Sequence, residues 1–175
     1  MSICKTSRRR GARLALLLST AGLVGAALLA PQSAMAQSVG PFAKFDGSWR
    51  GSGTVVATDG ARERITCRAR YSIPPSGAAV SQSLVCASDS YRFEVQTDAV
   101  VENGHSVQGK WQEATRHAIG DLTGEVSDGR FQGTVEGTGF TAEISIKMTG
   151  ARQAVTITPH GGDVGKVDIL LSRGV

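Results

Sequence analysis

The sequence predicts an all-β fold: a single antiparallel up-and-down β-barrel of about ten strands, preceded by a cleaved signal peptide. No sustained helical period follows Gln37, short stretches of alternating apolar and polar side chains recur instead, and turn pairs separate them. A long antiparallel sheet that is apolar on one side must curl up to keep that side dry, and closure also removes unpaired edges. A two-sheet sandwich is the competing architecture, because strand spacing alone does not exclude it.

Residues 1–36 have the features of a secretory signal peptide. A basic start precedes an apolar stretch over residues 14–30, and residues 34–36 read AMA, a small-x-small cleavage pattern. We therefore expect cleavage before Gln37 and a periplasmic or secreted protein. A retained transmembrane anchor is the alternative, since this largely apolar stretch of seventeen residues approaches the length that spans a bilayer. Pro31 and the cleavage pattern directly after this stretch argue against it.

The net positive charge of the whole chain comes from residues 1–36. The chain has 19 Lys and Arg against 15 Asp and Glu, and residues 1–36 contain five of the cations and no acid. Residues 37–175 then have 14 cations against 15 acids, a net charge of −1. This excludes an argument for nucleic-acid binding from the basic pI. The remaining 139 residues suffice for one domain with a sizeable core.

Turn pairs such as Asp59-Gly60, Asn103-Gly104 and Asp128-Gly129 divide this domain into consecutive hairpins. Ahead of the first strand, residues 41–45 predict a short lid or helical turn. In chain order, the predicted strands are 47–57, 62–73, 79–88, 90–101, 105–116, 119–126, 130–137, 139–148, 152–158 and 164–173.

Alternation within these strands separates a core face from a solvent face, because successive residues of a strand point to opposite sides. The second strand has apolar residues at every odd position from 65 to 73, against Arg64, Thr66, Arg68 and Arg70. The fourth strand sets Tyr91, Phe93 and Val95 against charged neighbours, and the eighth sets Phe140, Ala142, Ile144, Ile146 and Met148 against Glu143 and Lys147.

Cys67 and Cys86 are the two cysteines that remain after the predicted cleavage, an even pair in an oxidising compartment. If the second and third strands fold about Ser76-Gly77, residues whose numbers sum to 153 face each other, and 67 and 86 are such a pair. We predict a cross-strand disulfide that stabilises the fold by roughly 3 kcal/mol. A redox or metal role is disfavoured, because there is no Cys-x-x-Cys and no nearby His.

Residues 47–53, GSWRGSG, place Trp49 and three glycines on the inward face of the first strand. Glycines beside a large ring leave room for it and let the strand bend at a barrel corner. Arg173 shares a face with three apolar residues of the last strand, so it needs a partner. Because the first and last strands of such a barrel are neighbours, we predict that Arg173 packs across Trp49 and closes the base, a contact worth up to about 2 kcal/mol when desolvated. The alternative is that Arg173 frays into water at the C-terminus.

The G-x-W-x-G-x-G of residues 47–53 and the L-x-R of residues 171–173 resemble the calycin pattern. The start resembles the Gly-x-Trp of lipocalins and, more closely, the corresponding motif of nitrobindin-like barrels. The resemblance implies a β-barrel that holds a small apolar ligand; for nitrobindins it also implies haem, held by a histidine near the C-terminus. His160 is the candidate for that ligand. It follows Pro159 and precedes two glycines, which predicts a turn, so the sequence departs from the nitrobindin pattern here.

No catalytic constellation is present in the sequence. It lacks a Gly-x-Ser-x-Gly elbow, a His-Glu-x-x-His motif, a P-loop and a complete dinucleotide fingerprint. His105, His117 and His160 lie in different segments without ligand spacing, which predicts exposed loop or strand-end positions. We therefore predict a protein that is not an enzyme and has neither a metal site nor a cofactor, with haem as the alternative.

The lumen is the main candidate site. Five aromatic residues point inward by parity: Tyr71, Phe93, Trp111, Phe131 and Phe140. Inward glycines at 51, 53, 109 and 133 are expected to leave space, and a barrel of eight or more strands encloses a small ligand. We predict binding of a small hydrophobic or amphipathic molecule. The alternative is that the rings fill the interior as a solid core.

A row of arginines is the second candidate site. Arg62, Arg64, Arg68 and Arg70 point outward on one strand and Arg50 on its neighbour. Such a row could engage an anionic envelope lipid or an acidic partner, or form a solvated face. Two functional alternatives therefore stand beside lumen binding: a nitrobindin-like barrel for haem or nitric oxide, and an envelope interaction module such as a protease inhibitor.

Overall fold

The computed structural model describes residues 40–174 as a closed antiparallel barrel of ten strands. These residues fall in one compact unit, Gln37–Val175, and the predicted signal peptide lies outside them. The predicted all-β up-and-down barrel is confirmed. The sandwich is excluded, because every strand has a hydrogen-bonded neighbour on both sides. Within residues 40–174, no helix is long and apolar enough to cross a membrane.

The strand boundaries lie close to those predicted from turn pairs and alternation. The ten strands are β1 (Gly47–Ala57), β2 (Arg62–Ser72), β3 (Ala79–Ala87), β4 (Arg92–Glu102), β5 (Ser106–Glu113), β6 (Ala118–Ser127), β7 (Arg130–Gly137), β8 (Phe140–Thr149), β9 (Arg152–His160) and β10 (Val164–Arg173). A 3-10 helix, Ala43–Phe45, precedes them, which confirms the predicted helical turn.

Two boundaries differ by more than a frayed end. β5 stops at Glu113, three residues before its predicted end, because residues 114–117 turn back and His117 adopts a left-handed φ of 55°. β9 continues to His160, which pairs with Thr141 of β8. The prediction that His160 lies in a turn is therefore wrong: Pro159 does not end the strand, and the turn starts at Gly161.

Pairing between β1 and β10 closes the barrel. Trp49 lies opposite Arg173 and Val55 opposite Val167, with one irregularity after Val56. The other side of β1 pairs with β2 over ten positions. All strands and all their partners lie within residues 47–173, so the barrel is complete without a strand from elsewhere and has no open edge.

Inward residues form one core that runs around the barrel. In β2 the buried residues alternate strictly with exposed ones, as the sequence predicts: Ile65, Cys67, Ala69 and Tyr71 are buried. Inward residues near one end, such as Phe93 and Ile144, are only half-buried. They pack on the core, yet they leave part of their surface uncovered inside the barrel.

The predicted disulfide is confirmed. Cys67 lies directly opposite Cys86 in the β2–β3 ladder, their Cα atoms are 4.2 Å apart, and their sulfur atoms are bonded. Both residues are fully buried. The bond joins positions nineteen residues apart and ties the second hairpin into the core.

The inward glycines have only one of the two roles predicted for them. A Cβ at Gly51 would lie 1.9 Å from the carbonyl oxygen of Leu170, and one at Gly133 would lie 2.3 Å from that of Thr123. Gly53 and Gly109 meet neighbouring carbonyls in the same way. The prediction that these glycines leave lumen space is wrong, because the backbone of the adjacent strand already approaches that closely. As predicted for Gly51 and Gly53, a glycine at such a position lets the strand bend and so permits the tight curvature of the wall.

Replacing both Cys67 and Cys86 by Ala should lower the free energy of unfolding by about 3 kcal/mol, because the unfolded chain regains the entropy of the open loop. Urea unfolding of the double variant beside the wild-type protein measures the difference. The wild-type protein in reductant is the control and should lose a similar amount. A loss below about 1 kcal/mol in both would show that the bond adds little.

Candidate functional site

The barrel encloses a cavity of about 550 Å³. We call the end formed by the turns after β1, β3, β5, β7 and β9 the mouth, and the opposite end the base. At the mouth, exposed residues such as Arg116 and Asp163 line the cavity. At the base, the lining residues Phe42 and Phe45 are 4% and 2% exposed. The cavity is therefore a cup, open at the mouth and closed at the base.

All five residues predicted to face the lumen lie on the cavity wall: Tyr71, Phe93, Trp111, Phe131 and Phe140. Three are buried, whereas Phe93 and Phe140 are half-buried near the mouth. The aromatic rings line the interior and do not fill it, so the predicted alternative of a solid core does not describe this barrel.

Trp111 covers a part of the inner wall that contains two adjacent glycines. It lies opposite Gly120 of β6, which lies opposite Gly137 of β7. The indole extends over both glycines, and its Nε1 donates a hydrogen bond of 3.2 Å to the carbonyl oxygen of Glu136. Its ring also packs on Phe140, with 5.7 Å between ring centroids. These contacts fix one ring orientation, so Trp111 presents a preformed apolar surface to the cavity.

The base segment, residues 40–46, forms the floor of the cup. Its backbone is tied to the β2–β3 turn, where the N–H of Phe42 donates to the carbonyl oxygen of Gly77 at 3.1 Å. Lys44 forms an ion pair with Asp128 in the β6–β7 turn. These two turns lie four strand pairs apart around the barrel, so the segment crosses its base. Phe42 and Phe45 pack edge to face and point up into the cavity.

Trp49 supports this floor from outside the cavity. It is 0% exposed, and its Nε1 donates a hydrogen bond of 2.8 Å to the carbonyl oxygen of Phe45. The guanidinium carbon of Arg173 lies 4.4 Å from the indole centroid. Arg173 also donates hydrogen bonds to the carbonyl oxygens of Lys44, at 3.0 Å, and of Asp46. One arginine thus joins the last strand, the first strand and the base segment.

Arg173 is exposed, which corrects the expectation of a desolvated contact. β10 ends at this residue, so the guanidinium lies on the outer side of the indole, where water reaches it. The cation–π contact then belongs at the exposed end of its range, about 0.5–1 kcal/mol. The rest of the free energy that Arg173 contributes to barrel closure comes from its two hydrogen bonds to backbone carbonyl oxygens.

Tyr71 and Gln153 form a polar pair beside the floor. The Tyr71 hydroxyl lies 3.3 Å from Oε1 and 3.1 Å from Nε2 of Gln153, which is fully buried. Burial raises the pKa of Tyr71 to about 12, although its hydrogen bond with Gln153 acts in the opposite direction. The phenol is therefore neutral in the folded protein well above the pH at which a free tyrosine ionises.

Glu113 is a buried carboxylate at the mouth. It accepts hydrogen bonds from the backbone N–H groups of Glu94, Thr115 and Arg116 and from the Thr115 hydroxyl. Burial alone would raise its pKa, but these hydrogen bonds outweigh burial and hold the pKa below its usual value. The carboxylate thus stabilises the β5–β6 turn, and its oxygens are occupied by that turn.

Two further polar residues, Gln82 and Thr97, face the cavity at mid-depth. They lie directly opposite each other on β3 and β4. Both are half-buried, and within residues 40–174 neither side chain forms a hydrogen bond. Among residues 40–174, every side-chain nitrogen or oxygen atom that is buried from solvent has a hydrogen-bond partner. The polar atoms of Gln82 and Thr97 are therefore reachable from the lumen.

The predicted arginine row lies outside the barrel. Arg50 directly opposes Arg68, and both are exposed. Arg64 donates a hydrogen bond of 3.0 Å to the Ser52 hydroxyl. Arg70 and Arg62 continue the same outer face, away from the lumen. The expected anionic partner of Arg64, Arg68 and Arg70 stays a prediction.

The three histidines of the barrel are exposed, and none lines the cavity. The His160 ring lies 3.7 Å from Glu143 on the outer face of β8 and β9. Among the described residues, no group of three His, Cys, Asp or Glu side chains could hold a metal ion. The structure thus does not bring His160 to the lumen, where the nitrobindin resemblance would require it.

Comparison with known proteins supports the architecture. No family model and no curated protein matches the chain. Rv2717c from M. tuberculosis has a similar structure, with a TM-score of 0.58 at 9% identity over 76% of this chain and 94% of that one. The S-type phycobiliprotein lyase CPES from Guillardia theta has a TM-score of 0.54 at 15% identity, over 77% and 90%. The fold is a calycin-like barrel.

At these identities the likeness concerns the course of the backbone and transfers no site residue. The similarity of residues 47–53 and 171–173 to lipocalin and nitrobindin motifs therefore stays a prediction. The calycin-like description rests on strand number, antiparallel order and closure.

Besides Gln82 and Thr97, three parts of the site are not predicted from the sequence. Phe42 and Phe45 form the floor, although residues 41–45 were expected only as a lid or helical turn. Gln153 is buried, and Glu113 is buried at the mouth. The signal for the last two was present: Gln153 shares the inward parity of Val155, and Glu113 that of Trp111. In both cases the position in the strand indicates an inward side chain, but its polar character indicates an exposed one.

Arg173→Gln should lower the free energy of unfolding by about 2 kcal/mol, because it removes the stacked cation and weakens its charged hydrogen bonds to the base segment. Thermal or urea unfolding measures the loss. Arg152→Gln is a matched control at the same end of the barrel and should change stability by less than about 0.5 kcal/mol. Equal losses in the two variants would contradict a closing role for Arg173.

The buried phenol predicts a stability change at high pH. Because the pKa of Tyr71 is raised to about 12, its contribution is fully present below the pKa of an unfolded tyrosine, near 10.0, and is lost as the pH rises towards 12. The free energy of unfolding should fall by about 1.4 kcal/mol per pH unit in that window. Tyr71→Phe should lack this component when both proteins are unfolded in urea at about pH 8 and about pH 11. Parallel losses in the two proteins would refute the assignment.

Proposed function

We propose that this protein is an exported, non-catalytic barrel that binds a small hydrophobic or amphipathic molecule in its lumen. The single observation that carries the proposal is the apolar cup of about 550 Å³, closed at the base and open at the mouth. Cavities of about 300–1,000 Å³ with apolar walls and a few polar groups are typical of small-molecule sites.

The energetics of the wall favour an apolar guest. Most of the residues that line the cavity are apolar, among them the aliphatic residues of β6 to β10 and the rings of Trp111 and Phe131. Transfer of apolar surface from water into such a site contributes about 25 cal/mol per Å². Because the floor and Trp111 are held by hydrogen bonds, the cup is preformed, and little ordering free energy opposes binding.

Export is supported by two independent features. Residues 1–36 read as a signal peptide, and the barrel contains a buried disulfide between Cys67 and Cys86. Disulfides persist in oxidising compartments such as the bacterial periplasm. We therefore place the barrel in the periplasm or outside the cell.

Binding without a reaction is supported by the chemistry of the wall. The charged residues that line the cavity, Glu113, Arg116 and Asp163, all lie at the mouth. Glu113 is engaged by the β5–β6 turn, which leaves it unsuited to proton transfer. One solved neighbour of this fold is named a lyase, but at 15% identity it offers no residue to transfer. The absence of catalysis is thus part of the proposal.

A tryptophan placed in the cup should block binding. Val95→Trp puts an indole into the lumen and should weaken the affinity for a hydrophobic fluorescent dye such as N-phenylnaphthylamine at least about tenfold, because the ring occupies the guest's volume. Fluorescence titration of the barrel from Gln37 measures the affinity. Native mass spectrometry of the protein purified from its host should show a retained small molecule in the wild type and not in the variant.

Gln96→Trp is the matched control, because Gln96 adjoins Val95 on β4 and points outward. It should bind the dye as the wild type does. Absence of dye binding by the wild type, or equal weakening in both variants, would refute the lumen as a binding site.

A further inference from the structure

Below the mouth, where strand residues form the inner wall of the cup, the wall is polar on one side only. Going around the barrel, Tyr71, Gln82, Thr97 and Trp111 lie opposite one another in successive pairs on β2, β3, β4 and β5. Across the lumen, the strand residues of β6 to β10 that line the cavity are all apolar. Of the polar side chains in this row, Tyr71 is engaged by Gln153. Gln82 and Thr97 are left facing the lumen.

We propose that Gln82 and Thr97 bind the polar group of the lumen ligand and that this ligand is an uncharged amphipathic molecule with one hydrogen-bonding edge. This inference rests on the proposed binding function. Gln82 offers two amide donors and one acceptor, and Thr97 offers a hydroxyl that donates and accepts. A hydroxyl, ketone or amide group on the ligand satisfies both residues, while the rest of the ligand packs on the opposite, apolar wall.

The charge pattern of the wall selects a neutral ligand. The charged side chains that line the cavity lie at the mouth, so an ionised group at the depth of Gln82 would lose its water without meeting a counter-charge. A neutral oxygen or nitrogen group meets two neutral partners instead. A ligand that lacks such a group leaves the amide and the hydroxyl dehydrated and unpaired, which weakens its binding.

A structural role does not account for these two residues. Their side chains form no hydrogen bond within residues 40–174, so they hold no strand or turn in place. A polar side chain in an apolar cup adds no packing that Leu or Val would not supply. We therefore expect Gln82→Leu/Thr97→Val to have an unchanged or higher melting temperature, as is common where function is kept at a cost in stability.

The test compares three fluorescent probes of similar size: anthracene, its hydroxymethyl derivative and its carboxylate. Their dissociation constants are measured for the wild-type barrel from Gln37 and for Gln82→Leu/Thr97→Val. The double substitution should weaken binding of the alcohol relative to anthracene by about tenfold or more, since it removes hydrogen bonds that only the alcohol makes. The carboxylate should bind the wild type more weakly than the alcohol does.

Ser83→Ala/Gln96→Leu is the matched control, because these residues form the next opposed pair on the same two strands and point outward. Its relative preference for the alcohol should equal that of the wild type. If all probes bind and the lumen substitutions leave this preference unchanged, the polar edge is refuted while the binding function stands. If the carboxylate binds tightest, the uncharged ligand class is refuted. If no probe binds the wild type, the proposed function fails, and this inference fails with it.

Discussion

Pairing of β1 with β10 is the interaction on which the rest of the structure depends. It turns a row of hairpins that is apolar on one side into a surface with an inside, and it removes both free edges of the sheet. The register places Trp49 opposite Arg173, so closure and the sealing of the base occur at the same residues. Without it, the inner faces of all ten strands would be exposed to water.

The base of the barrel is closed and the mouth is open, because different segments of the chain lie at the two ends. The base receives residues 40–46, which cross it and are held by the β2–β3 turn, by Asp128 and by Arg173. The mouth has only short turns, of which the one after β5 is held by Glu113. A barrel of ten strands has a wider interior than its inward side chains fill, so a floor at one end produces a cup.

The disulfide and the polar pair show how the interior tolerates polar or reactive groups. Cys67 and Cys86 are bonded, and the Tyr71 hydroxyl and Gln153 satisfy each other. Gln82 and Thr97 differ, since their polar atoms face the lumen and have no hydrogen-bond partner among residues 40–174. Against an otherwise apolar wall, this difference separates groups that stabilise the barrel from groups left available to a guest.

Period-two alternation and turn pairs by themselves determined the ten strands, the inward aromatic residues and the pairing of Cys67 with Cys86, because these depend on local geometry and on one hairpin register. Only the tertiary structure decided that the lumen is a cavity, because free volume depends on ten strands at once. It also decided that Gly51 accommodates a neighbouring carbonyl and that Arg173 is exposed. Both depend on how closely strands distant in sequence approach one another, a distance that barrel curvature sets and local pattern does not.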